Sequence, residues 1–181
     1  MEKELSYLVS NHDLERKFKS QLSQIQIKLY SELNDINDIT ELLPSEVCCC
    51  FILLKTTEQS GHWCCLARNN NAIYYLDSYG VQPDGELSNI APNLKYELHE
   101  NTKALTKIIS TIPRGFTFEF NKMQLQEYKD NINTCGKHSE VFCKCVFLGM
   151  TLRDFQQKMK TLKATYKTTY DMIVCSLWNT L

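Results

Sequence analysis

The run Val47-Cys48-Cys49-Cys50-Phe51-Ile52-Leu53-Leu54 is apolar from end to end. Side chains of a strand alternate between its two faces, so a short β-prone run without polar interruption is apolar on both. It therefore predicts a buried central strand. An open sheet with one wet face would instead show polar residues at every second position.

The flanking pattern supplies neighbours and covers for that strand. Apolar residues recur at Leu14, Phe18, Leu22, Ile25, Leu29 and Leu33, in steps of three and four, and predict one or two amphipathic helices over 11–37. A polar turn is expected over 56–61. Trp63 to Ala67 and Ala72 to Leu76, joined across Arg68-Asn69-Asn70-Asn71, read as a β-hairpin. A loop with a short helical piece follows from Gly80 to Asn93. A surface helix is expected over Asn101 to Ile112, and a half-buried strand over the alternating Phe116-Thr117-Phe118-Glu119-Phe120. A polar loop from about Asn121 to Thr134 leads to a helix over Gly136 to Phe147. Two further helices are expected: Thr151 to Lys163, with Thr151 as N-cap over Asp154, and Tyr166 to Trp178. Strands in the middle of the chain with helices at both ends make the fold class α+β. The 181 residues fit one domain: a helical region over 1–40, a core over 42–155 and closing helices over 156–181.

A formal net charge of −1 provides no global field for nucleic acid or an acidic membrane. Lys158, Lys160, Lys163 and Lys167 read as a solvated helix face. The nine cysteines include neighbours in a strand, which point to opposite faces and suit core packing better than a disulfide framework. Their odd number, and a charged opening Met1-Glu2-Lys3-Glu4 with no apolar signal region, point to a reducing, intracellular setting. No run is long enough to span a membrane. CxxC knuckles are missing and Cys143-Lys144-Cys145 has no partner pair, so no metal site is expected.

Three residues at the edges of regular elements carry a chemistry: His62, Asp77 and Cys135. A free thiol has a pKa of about 8.5 and needs a base or positive surroundings to become a nucleophilic thiolate. Cys135 is expected at a helix start, where unpaired N–H groups and the dipole favour an anion, with Gly136 leaving room for an incoming carbonyl. His62 opens one hairpin strand and Asp77 ends the other, so the carboxylate can orient the imidazole. Taken singly, the three read as a packed surface histidine, a turn-capping aspartate and one more core thiol. Their ordered combination supports a thiol nucleophile that needs no metal or organic cofactor.

At Gly61-His62-Trp63, Tyr75-Leu76-Asp77-Ser78-Tyr79-Gly80 and Asn133-Thr134-Cys135-Gly136 the chain resembles the adenain-like viral cysteine proteases. The likeness is closer to the small proteases of Maverick/Polinton elements, virophages and related DNA viruses, and more distant to proteases acting on ubiquitin-like proteins. It covers roughly Leu42 to Phe155. It implies a central mixed sheet flanked by helices, and cleavage of peptide bonds in capsid or polyprotein precursors, by a monomer in the host cytoplasm or nucleus or packaged in the virion. A peptide or nucleic-acid activator belongs to the same expectation. An isopeptidase of a ubiquitin-like modifier and a catalytically silent binding module are the alternatives. The resemblance also implies Trp63 packed beside the imidazole, and a glutamine lining the oxyanion hole together with Cys135 and Gly136. Relatives carry that glutamine six or seven residues before the cysteine, where this chain has Lys129 and Tyr128. Gln126 is preferred here, with Gln124 as the alternative and Asn131 or Asn133 as further donors. His138, one helical turn beyond Cys135, is secondary.

Overall fold

The computed structural model describes residues 2–57 and 60–180, so positions 58 and 59 of the expected turn lie outside the described residues. Five strands form one mixed sheet in the order β1 (Ile25–Leu29), β2 (Val47–Lys55), β3 (Gly61–Asn69), β4 (Ala72–Asp77) and β5 (Thr117–Phe120). β2, β3 and β4 are antiparallel neighbours, and β1 and β5 add parallel edges to β2 and β4.

The apolar run forms β2, and its alternation divides the molecule. Cys49 and Phe51 face one core with Trp63, Cys65, Ala67, Tyr74 and Leu76. Cys48, Cys50, Ile52 and Leu54 face the other with Cys64, Leu66, Ile73 and Tyr75. The short helices α1 (Glu2–Leu5) and α2 (Asn11–Lys17) precede the sheet, and α3 (Ile39–Leu42) enters β2. α4 (Pro92–Glu97) and α5 (Ala104–Ile109) lie between β4 and β5, and Leu105 and Ile108 of α5 complete the second core. The first is covered by α6 (Cys135–Phe147), α7 (Leu152–Tyr166) and α8 (Tyr170–Thr180). Thr151 and Asp154 open α7 with the expected reciprocal capping box.

The segment 11–37 departs from the helical expectation. Helix α2 ends at Lys17, two 3-10 turns span Lys19–Gln24 and Tyr30–Asp35, and Ile25–Leu29 between them is β1. Ile25-Gln26-Ile27-Lys28-Leu29 also alternates, and its β-branched residues suit the open edge of β2. Leu14 and Phe18 enter one core while Tyr30 and Leu33 enter the other. A chain crossing the sheet edge between two faces cannot do so as one straight helix.

All nine cysteines are free and buried. Among the described residues, no helix is long and apolar enough to cross a membrane.

Candidate active site

The hairpin brings His62 and Asp77 together through its register. Cys64 lies opposite Asp77, so His62, two residues back on β3, is a diagonal neighbour on the same face, within reach of a long side chain. His62 Nε2 and Asp77 Oδ2 are 2.8 Å apart, with Asp77 fully buried and His62 6% exposed. Asp77 Oδ1 accepts the Tyr79 N–H at 2.7 Å, and the Asp77 carbonyl accepts from Asn121 Nδ2 at 2.7 Å. Both ends of the aspartate are thereby held. Gly80 turns the chain away with φ +78, where any Cβ would meet the main chain of Met123 at 2.9 Å.

Cys135 is the first residue of α6 and 6% exposed. Its thiol is near enough to the His62 ring for each to shift the titration of the other. With Asp77 on Nε2, the nitrogen left for the thiol is Nδ1. Burial pushes the Cys135 thiol up, but the hydrogen bond and charge of His62, with the N–H groups of Trp63 and Gly136, outweigh it and hold the thiol below its ordinary value. Burial likewise pushes His62 down, and the charge and hydrogen bond of Asp77, then Cys135, carry it well above its ordinary value. Together these shifts favour a thiolate beside an imidazolium.

Aromatic packing fixes the ring plane. Tyr79 stacks on His62 with centroids 4.9 Å apart, and Tyr128 stacks on Tyr79 at 4.1 Å. Trp63 is buried beside the site on the opposite face of β3 and donates its indole N–H to the Val9 carbonyl at 2.9 Å.

The expected oxyanion glutamine is put to a different use. Gln126 is buried, and its Nε2 donates to the Ile132 carbonyl at 2.8 Å and the Tyr79 hydroxyl at 3.1 Å, which occupies both amide hydrogens. Its Oε1 accepts from the Ser78 hydroxyl at 2.9 Å. Gln126 therefore ties the loop before Cys135 to the turn after Asp77. Gln124 is exposed and donates to the Gln126 carbonyl at 3.0 Å. Asn133 spends its main-chain and side-chain N–H groups on the carbonyls of Leu5 and Ser6, and Asn131 is exposed. The main-chain donors at the thiol are the N–H groups of Trp63 on β3 and of Gly136, the second residue of α6.

Gly136 answers a different need from the one expected. A Cβ there would lie 2.6 Å from Val9 Cβ and 3.1 Å from Trp63 Cδ1, so the space is occupied by the protein's own packing. His138 is fully buried and faces Asp171, with Nε2 3.4 Å from Oδ1, away from the thiol chemistry. Tyr79, Asn121, Asp171 and Val9 support the site without having been assigned roles from sequence. Only Tyr79 carried a signal, in its place beside Asp77 and before Gly80.

A cleft of about 390 Å³ reaches the thiol, lined by Leu8, Val9, Leu53, Gly61, Trp63 and Cys135 among others. A larger groove of about 780 Å³, between 82–88 and 100–106, contains none of the three chemical residues. Compared with known proteins, the chain matches no family model and no curated protein.

Proposed function

We propose that this chain is a cysteine endopeptidase of the adenain-like kind, acting on protein precursors such as those of a viral capsid. The observation that carries the reading is the contact of one imidazole with both partners. Asp77 holds Nε2 of His62 while Cys135, at a helix start, is coupled to the same ring.

The geometry supports the following steps. His62 Nδ1 takes the proton of Cys135, and the thiolate sulfur bonds to the substrate carbonyl carbon. The carbonyl oxygen becomes an oxyanion facing the Cys135 N–H, which has no intrahelical partner at the first position of α6. As the C–N bond breaks, His62 returns its proton to the leaving amine and a thioester remains. Water, deprotonated by His62, then attacks the thioester carbon. Cys135 leaves as thiolate and the carboxyl product is released. Asp77 keeps the imidazole oriented and stabilises its charged form throughout.

Incubation of the purified chain and of Cys135→Ala with a capsid precursor, followed by mass spectrometry of the fragments, tests the reading. Fragments from the native chain and none from the variant are expected. If neither cuts but an electrophilic probe built on a ubiquitin-like protein labels Cys135, deconjugation replaces endoproteolysis. Equal cutting by both chains would remove Cys135 from the chemistry.

A further inference from the structure

Residues 4–10 are held against the catalytic elements chiefly by main-chain carbonyls. The carbonyls of Glu4 and Tyr7 accept from Lys137 Nζ at 2.7 and 2.9 Å. Those of Leu5 and Ser6 accept from the main-chain and side-chain N–H groups of Asn133 at 2.7 and 3.1 Å. The Val9 carbonyl accepts from Trp63. Asn133 and Lys137 flank Cys135 two residues to either side, and Trp63 follows His62. Lys137 is fully buried, its ammonium over the rings of Tyr7 and Trp178 at 5.2 and 5.3 Å, and it forms no ion pair among the described residues. Burying an unpaired charge is costly. Here the ammonium is committed to holding a peptide segment in place.

Tyr7 and Leu8 are the large apolar side chains that the anchored segment leaves exposed, and of the two Leu8 lines the cleft. Val9 is buried against Gly136, while Leu8 is 58% exposed on the cleft that reaches Cys135. Ser10 closes the segment as the N-cap of α2, in a capping box with Asp13. The carbonyls that are bonded are engaged with the protein body, and the cleft beside Cys135 remains open. The segment thus has the character of a wall and not of a bound substrate mimic.

Resting on the peptidase reading, we propose that residues 4–10 form a fixed wall of the substrate cleft. Leu8, together with Leu53, contacts the extended peptide bound on one side of the scissile bond. Lys137 is the positioning residue that holds this wall.

The test compares two alkylation rates of Cys135 by intact mass, in the full chain. One reagent is iodoacetamide. The other is a pool of acetylated tetrapeptide chloromethyl ketones with randomised side chains, which must enter the cleft. The ratio of peptide rate to iodoacetamide rate is expected to fall about tenfold in Leu8→Arg, at an exposed position where folding is not at stake, and similarly in Lys137→Met. An unchanged ratio in Leu8→Arg overturns the contact with substrate. A ratio that rises in Lys137→Met overturns the wall, because the segment would then be a plug. If Lys137→Met does not fold, Leu8→Arg alone decides. If neither reagent labels native Cys135 in preference to the other thiols, the catalytic reading fails and the wall falls with it.

Discussion

At Cys135 and His62, burial alone would keep both groups neutral, and it is their mutual contact, with Asp77 behind, that reverses this. The sign of the pH dependence follows. The thiol titrates below its ordinary value of about 8.5, so raising the pH develops the thiolate earlier than in a free cysteine. The imidazole titrates above its ordinary value of about 6.5, so it keeps its charge to higher pH than a free histidine, and the two steps belong to the pair jointly. In His62→Ala the burial penalty acts on the thiol without its main opposition, and the acid limb of iodoacetamide alkylation at Cys135 is expected to move to higher pH. Rate against pH in both chains measures this; coincident limbs would refute the coupling. These three residues were readable in the sequence because each sits at the end of a regular element; register brings His62 and Asp77 together, and the packing of α6 on the sheet adds Cys135. Gln126, Lys137 and Gly136 were not. Their uses depend on Tyr79, on segment 4–10 and on Val9, partners far away in the chain that no local pattern announces.

Among the elements, α8 is the one that locks the start of α6 in place. Asp171, in its first turn, is fully buried and accepts the Thr134 hydroxyl at Oδ1, with His138 beside it. Its Oδ2 accepts the Glu127 N–H at 3.0 Å. Thr134 immediately precedes Cys135 and Glu127 follows Gln126, so one carboxylate joins the last helix, the nucleophile's helix and the loop between the two motifs. Burial pushes this carboxyl up, yet its hydrogen bond and charge contact with His138, then Thr134 and Glu127, hold it below its ordinary value. Asp171→Ala leaves those donors unpaired inside the protein and is expected to cost about 1–3 kcal/mol for each donor left without an acceptor. Urea titration measures it, and a loss under about 1 kcal/mol would show the junction to be dispensable. The helices α6, α7 and α8 and strands β2 to β5 were legible, because each is marked by an unbroken apolar run, a hairpin turn, a dominant period or a cap. β1 was not, since Ile25, Leu29 and Leu33 satisfy a helical step while Ile25, Ile27 and Leu29 satisfy a strand step. The open edge of β2 decides between them, and that edge exists only in the folded molecule.

Across the whole molecule, a sheet buried on both faces makes two cores depend on one strand. Phe51 points into the core under α6, meeting Phe18 edge-on at 5.5 Å, while its neighbour Ile52 points into the core under α5. If β2 couples the cores, emptying either side destabilises both at once, and the chain unfolds as a single unit. Phe51→Ala is expected to cost about 3–5 kcal/mol and Ile52→Ala about 2–5 kcal/mol, both being fully buried. At roughly 2–4 °C per kcal/mol for a chain of this size, the melting temperature falls by roughly 6–20 °C for Phe51→Ala. Differential scanning calorimetry should show one transition, shifted as a whole, in each variant. A transition that splits, with one part left at the native temperature, would mean that the two faces fold independently. The thiol site draws on both cores, since α6 carries Cys135 on the Phe51 side while His62 and Asp77 share the face of Ile52. A site assembled from both faces at the end of the sheet needs both cores intact. Cys135 alkylation followed through the melt should therefore lose its selectivity in step with the calorimetric transition, whichever core was emptied.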